Sequence, residues 1–95
     1  MISFTVRMRF ESEEHDAIAE ILRELTLASR QEPGCVSYIA HFLDGDANTV
    51  LIYEQYADEA AVEAHRATTH FHQYAIGGLY QRMKERHVET LVAVC

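Results

Sequence analysis

A chain of 95 residues that is 48% hydrophobic has room for one domain and one core, and with a single proline and no low-complexity stretch it contains no linker. Its 15 acidic residues against 8 basic ones set the formal net charge at −7, which repels phosphate backbones and anionic headgroups and argues against nucleic acid or a membrane surface as partner. No apolar run approaches the roughly 20 residues of a transmembrane helix, the first residues lack a signal peptide's apolar region, and Cys35 and Cys95 form no CxxC pair, so the expectation is a cytoplasmic protein without disulfide framework or zinc site.

In chain order, Ile2, Phe4, Val6, Met8 and Phe10 alternate without a break with Ser3, Thr5, Arg7 and Arg9, the period of two of a strand with one apolar face. Ile18, Ile21, Leu22, Leu25 and Ala28 then take helical spacing, so a helix is predicted from about Glu13 to about Gln31, with Ser12 as its N-cap. Pro33-Gly34 stops it. Two β-rich runs follow, Cys35 to Leu43 and Val50 to Tyr56, joined as a hairpin through the turn residues Asp44-Gly45-Asp46-Ala47-Asn48.

Asp58 is placed to cap a short helix through about Arg66, and Thr68 or Thr69 to cap a second one that carries Phe71, Tyr74, Ala75, Gly78 and Leu79 on one stripe. Gly77-Gly78 inside that second helix calls for a bend or a close backbone contact. A final strand from about His87 to Cys95 carries Val88, Leu91, Val92 and Val94 and is expected to be apolar on both sides.

The order β-α-β-β-α-β is that of the ferredoxin-like α+β fold, an antiparallel sheet with helices on one face. If the apolar residues of the first strand face the helices, Ser3, Thr5, Arg7 and Arg9 must face the uncovered side, where a second sheet could pack. In this strand order the second and fourth strands occupy opposite edges, so Cys35 and Cys95 are not expected to bridge within one subunit.

Three segments in this order, Glu32-Pro33-Gly34-Cys35, then Tyr53-Glu54-Gln55-Tyr56-Ala57-Asp58-Glu59-Ala60-Ala61 running into His65, then Thr69-His70-Phe71, resemble the antibiotic biosynthesis monooxygenase family across nearly the whole chain, residues 1–95 being one such domain. The resemblance implies a homodimeric α+β barrel of two facing ferredoxin-like sheets, with a small pocket in each subunit between helices and sheet. Haem-degrading members carry an Asn, a Trp and an iron-ligating His that align near Val6, His65 and Ala75. The chain has no Trp, which argues against haem. Two branches remain: quinol and anthrone monooxygenases that use no cofactor, and the isomerase of a phosphorylated quorum-sensing signal.

Of the six histidines, His65 and His70 lie five apart across a break and His70 and His72 cannot share a helix face, so no convergent metal-ligand set is expected; His15, His72 and His87 read as solvated surface. In the implied fold His65 and His70 bracket the chain over the pocket mouth, and an ordinary pKa near 6.5 suits a general base. A cofactor-free oxygenase requires only a base and an apolar pocket, because the substrate supplies the electrons. His65 or His70 is the candidate base, and Phe71, Tyr74, Tyr53 and Tyr38 are candidate walls for a flat aromatic substrate. Arg66 is the candidate phosphate partner should the reaction be isomerisation, and a non-catalytic ligand-binding dimer is the alternative outside enzymes. Glu54, among apolar strand neighbours, must be paired, hydrogen-bonded or protonated, with Arg7 or Arg9 as expected partners across the sheet or the dimer and a catalytic role as the alternative.

Overall fold

In the computed structural model, which describes residues 1–95, β1 spans Ile2–Arg9 and sorts its side chains as a period of two demands. Val6, Met8 and, just past the strand, Phe10 are buried beneath the helices, while Arg7 and Arg9 are exposed on the opposite face. β1 lies between β3 (Asp46–Tyr56) and β4 (Glu85–Leu91), and β2 (Cys35–Leu43) is the far edge, giving the antiparallel order β2-β3-β1-β4. The register sets Val6 opposite both Ile52 and Val88, and Phe4 opposite Glu54. This is the ferredoxin-like α+β arrangement. With β2 and β4 on opposite edges, both cysteines are free.

Two strand boundaries differ from expectation. The hairpin turn is shorter than the five residues predicted, because β3 begins at Asp46 opposite Leu43 and Gly45 takes the positive φ of 84° that a tight turn requires. Asp46 then secures the first rungs, accepting hydrogen bonds from the Asn48 backbone N–H and, at 2.6 Å, from the Thr49 hydroxyl. At the other end β4 begins two residues earlier than His87, since the Lys84 N–H already donates to the Arg9 carbonyl, and it stops at Leu91, which pairs with Ser3 near the start of β1. Residues 92–95 have no strand beside them to pair with and are exposed.

On the helical face, α1 (His15–Ser29) buries Ile18, Leu22 and Leu25. Ser12 does not cap it: a 3₁₀ turn over Ser12–Glu14 precedes the helix and uses backbone partners, the Glu14 N–H donating to Glu11 O. α2 (Glu59–Arg66) is capped as expected, Asp58 Oδ1 accepting from the Ala61 N–H at 2.9 Å. α3, residues 71–82, is a π-helix over Phe71–Leu79 continued by one α-turn, Tyr80–Arg82. Of the bend or close contact expected at the glycine pair, the close contact is what the fold shows. The helix is widened, and a Cβ on Gly78 would lie 3.3 Å from the Ile21 side chain, so Ile21 of α1 packs directly on the backbone of α3. No helix is long and apolar enough to cross a membrane.

Candidate active site

The turn between α1 and β2 and the start of α2 are locked together by one missing side chain. A Cβ on Gly34 would lie 2.4 Å from Ala61 Cβ, and the Ala57 N–H donates to Gly34 O at 2.9 Å, so only glycine lets α2 seat on the turn. Ala61 and His65 are four residues apart on one face of α2, and the seating that puts Ala61 on Gly34 therefore brings His65 to Glu32. The joint after α2 is set by Thr68, whose hydroxyl donates to His65 O at 2.7 Å and accepts from the Phe71 N–H at 3.1 Å. From below, the alternation of β3 points Ile52, Glu54 and Tyr56 at the same place.

His65 is 3% exposed. Its Nδ1 lies 2.8 and 3.1 Å from the two oxygens of Glu32, and its Nε2 lies 3.7 Å from Glu54 Oε1. His70 Nε2 meets the same Glu32 Oε2 at 2.5 Å. A carboxylate can only accept, so the hydrogen-bond network assigns Nδ1–H to His65 as donor and leaves Nε2 of the neutral ring as an acceptor. Burial holds the His65 pKa below its ordinary value, against the opposing pull of Glu32, so the ring is neutral at pH 7 and able to take a proton. Glu54 is 5% exposed and accepts from the Tyr56 hydroxyl at 2.7 Å. Burial pushes the Glu54 carboxyl up to about 7, the Tyr56 bond only partly resisting, and burial likewise raises Tyr38 and Tyr56 far above the ordinary tyrosine range.

Beside these groups a cleft of about 430 Å³, its open mouth included, is walled mainly by apolar and aromatic side chains. Of the residues expected at the site, His65, Phe71, Tyr38 and Arg66 line it. Four corrections follow. Tyr53 faces the opposite side of the sheet, since it alternates with the inward Ile52 and Glu54. Tyr74 is half-buried against the edge of the core and lies outside the cleft, and His70 touches the site only through Glu32. Glu54 does not pair with Arg7 or Arg9, which belong to the other face; its neighbours are Tyr56 and His65.

The spacing argument against converging ligands is also corrected. Glu32, His65 and His70 bring their donor atoms within 4.8 Å of one another, the one group of His, Cys, Asp and Glu side chains in the chain close enough to hold a cation. As arranged, though, both ring nitrogens are aimed at one carboxylate oxygen, which is a hydrogen-bonded cluster rather than a cage around an ion. Sequence reasoning missed Glu32, Tyr56, Tyr80 and Arg86 at the site. Glu32 was visible as part of a turn motif, but nothing in the spacing ties it to a histidine 33 residues away.

The sequence model of the antibiotic biosynthesis monooxygenase family matches residues 1–75, a stretch that includes Glu32, Glu54, His65 and His70. A crystal structure of an antibiotic biosynthesis monooxygenase is similar at a TM-score of 0.92 and 26% identity over 100% of both chains. A Bacteroides thetaiotaomicron structure is similar at 0.91 and 29%, covering 99% of this chain and 90% of that one, and a Pseudomonas aeruginosa structure at 0.89 and 26%, covering 99% and 94%. An uncharacterised Synechocystis protein is 37% identical over 46 residues, 48% of this chain and 31% of that protein's length. With its sequence matched over most of its length and its fold matched over all of it, the chain belongs to the antibiotic biosynthesis monooxygenase family.

Proposed function

We propose that this chain is a cofactor-independent monooxygenase that oxidises a quinol-like or other electron-rich hydroxyaromatic with molecular oxygen. The observation that carries the reading is the His65 ring: buried and neutral, its Nδ1–H committed to Glu32, its Nε2 free as an acceptor on the cleft side next to Glu54. His65 takes the substrate's O–H proton, and the electron-rich anion bonds O₂ through a ring carbon. The proton held on His65 passes to the peroxide oxygen. Loss of the ring C–H proton and cleavage of the O–O bond then leave one oxygen atom in the quinone product and the other in water, so every electron comes from the substrate. Phe71 and Tyr38 supply aromatic walls, and membership of the family supports oxygenase chemistry in this cleft.

Oxygen uptake with a panel of hydroquinones tests the reading. His65→Ala should lower kcat by about 10²- to 10⁴-fold with the fold intact, as for loss of a positioned base. A chelator should leave the rate unchanged. Wild-type rates in His65→Ala, or loss of turnover in EDTA that zinc or iron restores, would refute it.

One observation favours a second reading. Arg66 and Arg86 both line the cleft and could hold a phosphate, as isomerisation of a small phosphorylated ketone would need. Solvent deuterium entering the substrate without oxygen uptake would select that reaction, and binding without turnover would leave a ligand-binding role. The proposal extends to a homodimer in which a second copy covers the open sheet face, where Ile39 and Leu91 stand 43% and 40% exposed.

A further inference from the structure

The reading of His65 as the base leaves unexplained why a carboxyl group sits almost out of water on the other side of the same space, and the inference below rests on that reading. Glu54 makes one hydrogen bond within the protein, accepting at Oε1 from Tyr56. Its Oε2 has no protein partner. The fully buried side-chain atoms without a partner are Thr26 Oγ1 and Ser29 Oγ, so Glu54 Oε2 is not sealed in the core and opens on the cleft that the residue lines. A gap of 3.7 Å separates His65 Nε2 from Glu54 Oε1, too long for a direct hydrogen bond, and because Oε2 belongs to the same carboxyl, a single oxygen in the cleft can lie within about 3 Å of both His65 Nε2 and Glu54 Oε2.

We propose that Glu54 is a catalytic residue that works as a neutral acid: a substrate hydroxyl sits between His65 Nε2 and the Glu54 carboxyl, and when His65 removes its proton the Glu54 O–H donates a hydrogen bond to the oxyanion. Tyr56 fixes which oxygen carries the proton, because its own O–H occupies Oε1 and leaves Oε2 as the donor. No proton leaves Glu54 in this step; the charge of the anion is met by one hydrogen bond from the acid and by the imidazolium that His65 becomes. A carboxyl that ionises only near pH 7 suits the task, since an ionised Glu54 would repel the oxyanion. The groups facing it are Tyr56, Tyr38 and the Cys35 thiol from the sheet, His65 and Arg66 from α2, Glu32 from the turn and Arg86 from β4. The substrate class is thereby narrowed to molecules that bind as an aryloxide or enolate through a single oxygen.

The test uses 4-nitrophenol, whose phenol and phenolate forms absorb at different wavelengths, so that it reports oxyanion binding without turnover. The wild-type protein should bind the phenolate in preference to the phenol, most tightly below about pH 7 and more weakly above it. Glu54→Gln keeps a neutral donor and should retain the preference, with the decline above pH 7 reduced to the part that comes from the proton held on His65. Glu54→Ala should weaken phenolate binding by about 10- to 100-fold, the range for a hydrogen bond to a charged group. A loss in Glu54→Gln as complete as in Glu54→Ala, with both folded by circular dichroism, would mean that the carboxylate rather than the acid is used and would overturn the proposal. So would the absence of any preference for phenolate in the wild type. Because no oxygen is consumed, failure here leaves the oxygen-uptake result with His65→Ala standing, and the reverse.

Discussion

Gly34→Ala tests how the site is assembled, because one methyl group is enough to disturb it. Gly34 does not have a positive φ, so alanine strains nothing in the backbone and the whole cost is contact. The added Cβ would lie 2.4 Å from Ala61 Cβ and 3.4 Å from Ala61 Cα, whereas carbon atoms rest at about 3.5 to 4.0 Å, so α2 must move off the turn by more than about 1 Å. Overpacking of this kind costs about 1 to 3 kcal/mol, partly offset by the reduced freedom of the unfolded chain, and should lower the melting temperature by about 5 to 20 °C in a domain of this size. The same movement takes His65 Nδ1 from 2.8 Å to beyond hydrogen-bond reach of Glu32, releasing the tautomer that leaves Nε2 unprotonated. Thermal unfolding by circular dichroism and the ¹⁵N spectrum of the His65 ring read the two effects separately. Adding Ala61→Gly removes the opposing methyl and should recover both, although the glycine itself costs up to about 1 kcal/mol in a helix. Gly34→Ala within about 0.5 kcal/mol of wild type, or a double variant less stable than Gly34→Ala alone, would refute the reasoning.

Two further predictions concern stability and assembly. Glu54 has a folded pKa of about 7 against 4.5 unfolded, so its contribution is fully present below about pH 4.5 and is lost as pH rises through 7; the shift corresponds to about 3 kcal/mol, and Glu54→Gln should remove that part of the decline in urea unfolding measured between pH 4.5 and 8. His65 acts with the opposite sign, its lowered pKa costing stability as pH falls below about 6.5. Light scattering at low micromolar concentration should find a dimer, and Ile39→Lys on the open sheet face should shift it toward monomer; a stable folded wild-type monomer would contradict the facing-sheet arrangement.

The alternation of residues 2–10 and the helical spacing from Ile18 to Ala28 were sufficient, without coordinates, to place β1 and α1, to orient both toward one core and to leave Arg7 and Arg9 on an open face. Asp58 was equally legible, since a cap depends on residues a few positions apart, whereas Gly77-Gly78 signalled a close contact without naming Ile21 as the partner. From the order of elements came the strand order, and with it two free cysteines. What the tertiary structure decided is how elements distant in sequence meet. Tyr53 looked like a wall until the phase of β3 turned it away, and Glu54 looked like a partner for Arg7 until the same phase set them on opposite faces. β4 slid two residues toward the N-terminus because β1 ends where it does, which no property of Val92 or Val94 could signal. The site itself depends most of all on tertiary structure: Glu32 reaches His65 across a separation of 33 residues because Gly34 admits Ala61, a contact between backbone and methyl group that leaves no periodicity in the chain. Periodicity reports which side of an element faces a core, and only packing at van der Waals distance determines which residues of two elements come to face each other there.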